Sequence, residues 1–105
     1  MKGYASAAWT ALGDPTRRAI FESLVESPQA VGDLAAQFPV SRPAVSQHLK
    51  VLKSAGLVAD RQVGKHRIYR VDPDGLAALR AELDVFWTKT LAAYKGVVEQ
   101  PTKES

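Results

Sequence analysis

Between Ser41 and Gly56 the polar side chains Arg42, Ser46, Gln47, Lys50 and Lys53 all carry hydrogen-bond donors, and none of them is acidic. A solvated helix face ordinarily mixes both charge signs, so this segment asks for an electron-rich partner. The residue types match the edges and backbone of double-stranded DNA. A glutamine pairs bidentately with adenine, an arginine fork with guanine, and a serine serves base or phosphate. Arg42, Ser46 and Gln47 are therefore the candidate base readers. Ser41, Lys50 and Lys53 of the same segment, with Lys65, His66 and Arg67 farther on, are the candidate phosphate contacts, which position a protein without specifying a sequence.

Charge is segregated along the chain in the same sense. From Ser41 to Arg70 seven Lys and Arg face one acid, Asp60, a net of +6, whereas the rest of the chain carries seven basic groups against ten acids, a net of −3. The formal total of +3 conceals a focused positive field of the kind that attracts polyanions. Chance clustering on a solvated surface is the competing explanation.

The elements that must hold these residues are legible from caps, breakers and periodicity. Ser41 can cap a helix, Pro43 suits its first turn, and Gly56 follows its last turn as a stop. Val45, Leu49 and Leu52 recur at spacings of four and three, which places them on one buried stripe opposite the donors. Ahead of it, a helix from about Gly32 to Phe38 with Leu34, Ala35 and Phe38 inward is ended by Pro39. Two short helices joined by a tight turn, the second bearing donors, form a helix-turn-helix over about residues 32–55. Leu57 to Val63 and His66 to Val71 are β-prone runs around Gly64-Lys65, a hairpin over about 57–71 with a basic tip. Beside a helix-turn-helix such a hairpin is a wing able to reach phosphates or the minor groove, although a bland basic hairpin has the same pattern.

Residues 4–12 read as a short helix with Tyr4, Ala8, Trp9 and Leu12 as its apolar stripe. Asp14-Pro15 restarts a helix with Ala19, Ile20, Leu24 and Val25 inward to about Glu26. Its Arg17 and Arg18 suit pairing with acids or simple exposure better than phosphate. Ser27-Pro28 breaks it, and Gln29 to Val31 has the look of a very short strand. Asp72-Pro73 opens a final helix to about residue 98, where Leu76, Leu79, Leu83, Phe86, Trp87, Leu91 and Tyr94 alternate at threes and fours. Such a stripe exceeds what a small domain covers, so Tyr4, Trp9, Leu83, Phe86, Trp87, Leu91 and Tyr94 are the candidate interface of a symmetric homodimer. A helix wholly wrapped on its own core is the alternative. Residues 99–105 form a polar tail.

With 105 residues, 46% of them hydrophobic and 24% charged, the chain is expected to be one globular domain, mainly α with a small β-hairpin wing: a winged helix-turn-helix, homodimeric. No segment approaches the roughly 18 apolar residues of a membrane span, and no signal peptide is evident, so a cytoplasmic location is expected. There is no cysteine, no phosphate-cradling glycine loop, and neither histidine, His48 or His66, sits in a base-and-nucleophile context. No enzyme activity and no cofactor are expected. A transition metal needs three or four ligands. His48 is better suited to packing or a backbone contact, and His66 stands on an exposed hairpin, so no metal site is expected either.

In their order and identity, Ala11-Leu-Gly-Asp-Pro-Thr-Arg-Arg-Ala-Ile20, Val31-Gly-Asp-Leu-Ala35, Ser41-Arg-Pro-Ala-Val-Ser-Gln-His-Leu-Lys-Val-Leu52, Ala55-Gly-Leu-Val58 and the Gly64 to Tyr69 wing resemble the ArsR family of bacterial winged helix-turn-helix repressors. The resemblance covers about residues 5–95 and implies a homodimeric, operator-binding repressor that leaves DNA when an effector arrives. Metal-sensing members carry a cysteine motif where this chain has Asp33-Leu-Ala-Ala-Gln37, or Asp and His ligands on the final helix, which here has no histidine. The chain thus resembles the branch without metal sites. Its aromatic dimer region would either leave a pocket for a small-molecule effector or fill a solid core. A protein-interaction module docking an acidic partner is the alternative function.

Overall fold

The computed structural model describes residues 4–99, and the surroundings of side chains from Ala7 to Val97. Five helices and three strands follow in the order α1 (Tyr4–Leu12), α2 (Pro15–Glu26), β1 (Gln29–Ala30), α3 (Val31–Ala35), α4 (Arg42–Ser54), β2 (Val58–Val63), β3 (His66–Val71) and α5 (Pro73–Glu99). The sheet is antiparallel, with strand order β1-β3-β2.

Local chemistry sets the boundaries. Asp14 caps α2, its carboxylate accepting from the amides of Thr16 at 2.9 Å and Arg17 at 3.1 Å. These bonds, the Arg17 amide first, hold its carboxyl below the ordinary range against desolvation, with the charges of His48 and Arg17 acting in the same direction. At the end of α4, Gly56 adopts φ +81. Its amide donates to the Lys53 carbonyl, and the Leu57 amide donates to the Leu52 carbonyl, the two bonds of a Schellman motif. Gly64, at φ +60, opens the two-residue loop between the paired Val63 and His66, where only glycine takes a positive φ without strain.

The core gathers Ile20, Phe21 and Leu24 of α2, Leu34 of α3, Val45, Leu49 and Leu52 of α4, then Leu57 and Val58, with Ala8 and Ala11 of α1 at its edge. The expected stripe of α4 is fully buried. On α2 the inward face is turned relative to expectation: Phe21 is buried and Val25 is exposed. Ile20, Phe21 and Leu24 share one arc of the helix, which packs against α4 and β3, and Val25 falls beyond that arc. On α1 small Ala8 and Ala11 take the inward positions, which permits close packing, while Trp9 is half-exposed. The side chain of Tyr4 lies outside the described residues, as does the tail beyond Glu99.

The helix expected over 32–38 is shorter and one residue earlier. After Ala35 the chain continues in tight turns, Gln37 donating to the Leu34 carbonyl at 3.0 Å and Phe38 to Ala35 at 3.4 Å. Pro39 disfavours helical geometry at Phe38, so the helix does not resume after these turns. Gln37 then ties the turn to its surroundings. Its amide nitrogen donates to the Asp33 carbonyl and to Gln29, and its amide oxygen accepts from Ser23. The short strand is two residues, with Gln29 opposite Tyr69 and Ala30 opposite Ile68, so the wing is anchored to the segment that precedes α3.

Helix α5 docks on the end of α4 through two glycines. A methyl group on Gly75 would stand 1.7 Å from the Gly56 carbonyl oxygen, so no larger residue fits there without moving one helix. The Asp72 amide donates to the Leu57 carbonyl at 3.0 Å, while the Asp72 carboxylate accepts from the Asp74 amide at 3.0 Å and caps the helix start. Leu79 still packs against the core. Beyond it α5 runs outward, and the molecule is 69 Å in its longest extent against 27 and 23 Å in the others.

Candidate nucleic-acid interface

The burial of Val45, Leu49 and Leu52 turns the opposite face of α4 to solvent, and Ser46, Gln47 and Lys50 are exposed on it. Ser41 serves the helix first: its hydroxyl oxygen accepts from the Ala44 amide at 3.2 Å, as expected of an N-cap. Its exposed hydroxyl is still able to donate to an approaching phosphate. Ser46 and Gln47 sit one turn farther along, where a helix entering a groove tip-first brings side chains against base edges.

Arg42 is placed differently from a simple outward reader. Its guanidinium lies over Gly32 of α3, where a methyl group would meet its terminal nitrogen at 2.9 Å. Arg42 and Gly32 line a cleft of about 250 Å³ with Ala30, Asp33, His66 and Ile68. The fold thus brings together Arg42 of the helix and His66 of the wing, which the linear chain separates. The glycine at position 32 leaves the room that the end of the Arg42 side chain occupies.

A second junction joins wing and helix. Lys53 of α4 and Arg67 of β3 each approach Asp60 of β2 at 2.8 Å, one on each carboxylate oxygen. The Asp60 side chain is 6% exposed, whereas those of Lys53 and Arg67 are 55% and 50% exposed. Its carboxyl is held below the ordinary range, foremost by the hydrogen bond from Lys53 and then by that from Arg67, against the opposing effect of burial. Two of the expected phosphate contacts are therefore tied to a carboxylate that sequence reasoning entered only as a charge. One signal could have found it: Asp60 is the single acid between Ser41 and Arg70.

At the wing tip Lys65 and His66 are exposed, and the Gln62 side-chain amide donates to the Gly64 carbonyl at 3.2 Å, bracing the loop. His48 is half-buried on α4. Among the described residues Arg17 makes no ion pair within 4 Å; it donates to the Ala11 carbonyl at 3.1 Å and so ties down the end of α1. Among the described residues no group of three or more His, Cys, Asp or Glu is placed to hold a metal ion. No helix there is long and apolar enough to cross a membrane.

The far part of α5 is uncovered in the single chain. Phe86, Trp87, Leu91 and Tyr94 are each at least 50% exposed. Phe86 and Trp87 meet edge-to-face, with ring centroids 5.7 Å apart. Trp9 and Leu76 are exposed as well, whereas Leu83 is half-buried. An apolar face of this extent marks an interaction surface rather than ordinary solvent-facing helix.

Comparison with known proteins bears on both surfaces. The family described as "Bacterial regulatory protein, arsR family" matches residues 14–60. The chain is 61% identical over 92 residues to the HTH-type transcriptional regulator Rv2034 of Mycobacterium tuberculosis, a match that spans 88% of this chain and 86% of that protein. It is 37% identical over 62 residues to the transcriptional repressor SdpR of Bacillus subtilis, covering 59% of this chain and 69% of the relative. Among solved structures, a possible ArsR-family regulator of Mycobacterium bovis, determined by solution NMR as a homodimeric winged helix-turn-helix DNA-binding domain, superposes with a TM-score of 0.67. That match has 28% identity and covers 84% of this chain and 82% of the other.

Proposed function

Because the chain belongs to the ArsR family of bacterial DNA-binding transcriptional regulators, we propose that it is a homodimeric repressor that reads an inverted-repeat operator with α4 and grips the flanking backbone with its wing. The observation that carries this is the exposed, acid-free face of α4, continuous with a basic wing and backed by a fully buried stripe. Arg42, Ser46 and Gln47 are assigned to base edges, and Ser41, Lys50, Lys53, Lys65, His66 and Arg67 to phosphate. The family is one of regulators rather than enzymes, and docking to an acidic protein is not favoured beside it.

Dimerisation is assigned to α1 and α5 through Tyr4, Trp9, Leu83, Phe86, Trp87, Leu91 and Tyr94. A two-fold axis there would present two α4 helices to successive major grooves about 34 Å apart, so the half-sites should lie about one turn apart. No metal is assigned a part in release from DNA.

Footprinting on the duplex that binds tightest out of a random-sequence library tests this directly. Two symmetric protected half-sites, centred about 10 base pairs apart, are expected. One unsymmetrical protected patch would rule out the two-fold arrangement.

A further inference from the structure

Asp60, ion-paired with both Lys53 and Arg67, has no place in the division into base readers and phosphate contacts, although its two partners do. Nothing in this trio is needed to hold the hairpin, whose ladder runs unbroken from Val58–Val71 to Val63–His66. Asp60 stands opposite Tyr69 on the sheet, and Arg67, two residues before Tyr69, shares that face on the diagonal. Lys53 comes from the last turn of α4. The trio is therefore the place where wing and recognition helix are joined by charged side chains. Its geometry is also one-sided: the carboxylate is turned inward at 6% exposure while both cations keep about half of their side-chain surface in solvent. Each cation retains N–H donors beyond the one engaged.

We propose that Asp60 is a positioning residue that fixes Lys53 and Arg67 as one two-cation phosphate seat bridging helix and wing, and that it thereby sets the ratio of specific to non-specific DNA binding. The inference rests on the assignment of this face to DNA. Non-specific affinity counts charges and tolerates mobile ones, because it arises from released counterions. Asp60 lowers the trio from +2 to +1 and so weakens that mode. Specific affinity requires α4 in one register of the groove, and contacts already held in place lose less side-chain freedom on binding. One carboxylate thus restrains binding to arbitrary sequence and prepares the chosen complex.

The test measures Kd against salt for the wild type, Asp60→Asn and Lys65→Gln. Two 30-base-pair probes serve, one of random sequence and one recovered as the tightest binder from a random library. For Asp60→Asn, affinity for the random probe is expected to rise several-fold with a log-log salt slope steeper by about one per subunit. The ratio of selected to random affinity is expected to fall about tenfold, and Asp60→Glu should recover most of it. Mere loss of structure would weaken both probes without steepening the slope. An unchanged ratio, or equal losses on both probes, overturns the proposal.

If a thermal melt shows that Asp60→Asn does not fold, Lys53→Gln decides, since Asp60 there still holds Arg67. Its loss should fall on the selected probe, at least threefold beyond the random one, whereas Lys65→Gln should lose equally on both. Equal loss for Lys53→Gln overturns the proposal. A wild type whose affinity ignores salt overturns the DNA assignment itself, and a steep wild-type slope with an unaltered Asp60→Asn ratio overturns this inference alone.

Discussion

Gln47 and Lys65 are both exposed polar residues, yet they have different jobs if base edges and phosphates are met by different elements. Gln47 stands on α4 one turn beyond its cap, while Lys65 occupies the wing loop. Gln47→Ala is expected to cost about 1–3 kcal/mol on the operator and to relax preference at one or two positions, whereas Lys65→Ala should weaken every sequence alike. Competition titrations with single-base operator variants separate the two outcomes. Equal losses on operator and random DNA for Gln47→Ala would remove it from the readers. Residue type alone identified these candidates, since donor chemistry is a property of the side chain. It did not show that the Arg42 guanidinium lies over Gly32 or that Asp60 holds two of the cations. Both facts depend on contacts between elements: Gly32 lies ten residues before Arg42, and Asp60 of β2 meets one partner from α4 and one from the facing strand.

At the scale of elements, the joint between the end of α4 and the start of α5 determines how these two helices are oriented relative to each other. Gly75→Ala places a methyl group against the Gly56 carbonyl, and the forced separation is expected to cost about 1–3 kcal/mol as overpacking. For a domain of this size that amounts to a fall in Tm of roughly 4–8 °C per kcal/mol, readable by calorimetry. An unchanged Tm would mean that the first turn of α5 can step away from Gly56 freely. Caps and stops were the most legible features of the chain: Asp14, Ser41, Gly56 and Gly64 act at the positions their chemistry implied. The inward face of α2 was less legible, because Phe21 and Val25 are both apolar and only the placement of α4 and β3 against the helix chooses between them. Gly75 carried no local signal, since its requirement comes from a carbonyl nineteen residues earlier.

The whole molecule is a lone chain only in part. Its core covers the first turns of α5 through Leu79, while Phe86, Trp87, Leu91 and Tyr94 face outward, and a second copy would both cover them and set the spacing of the two α4 helices. Trp87→Ala is expected to weaken dimerisation by about 3–5 kcal/mol if the ring is fully buried between subunits. Sedimentation at micromolar concentration should then show monomer, and a variant that stays dimeric would place the interface elsewhere. Loss of the dimer should also reduce operator affinity far more than affinity for a single half-site. The salt dependence of DNA binding tests the central claim most directly. With about four phosphates neutralised per subunit, the wild-type dimer should show a log-log slope near −7, at about −0.9 per contact. A slope near zero would contradict a basic helix-and-wing surface that works by gripping DNA.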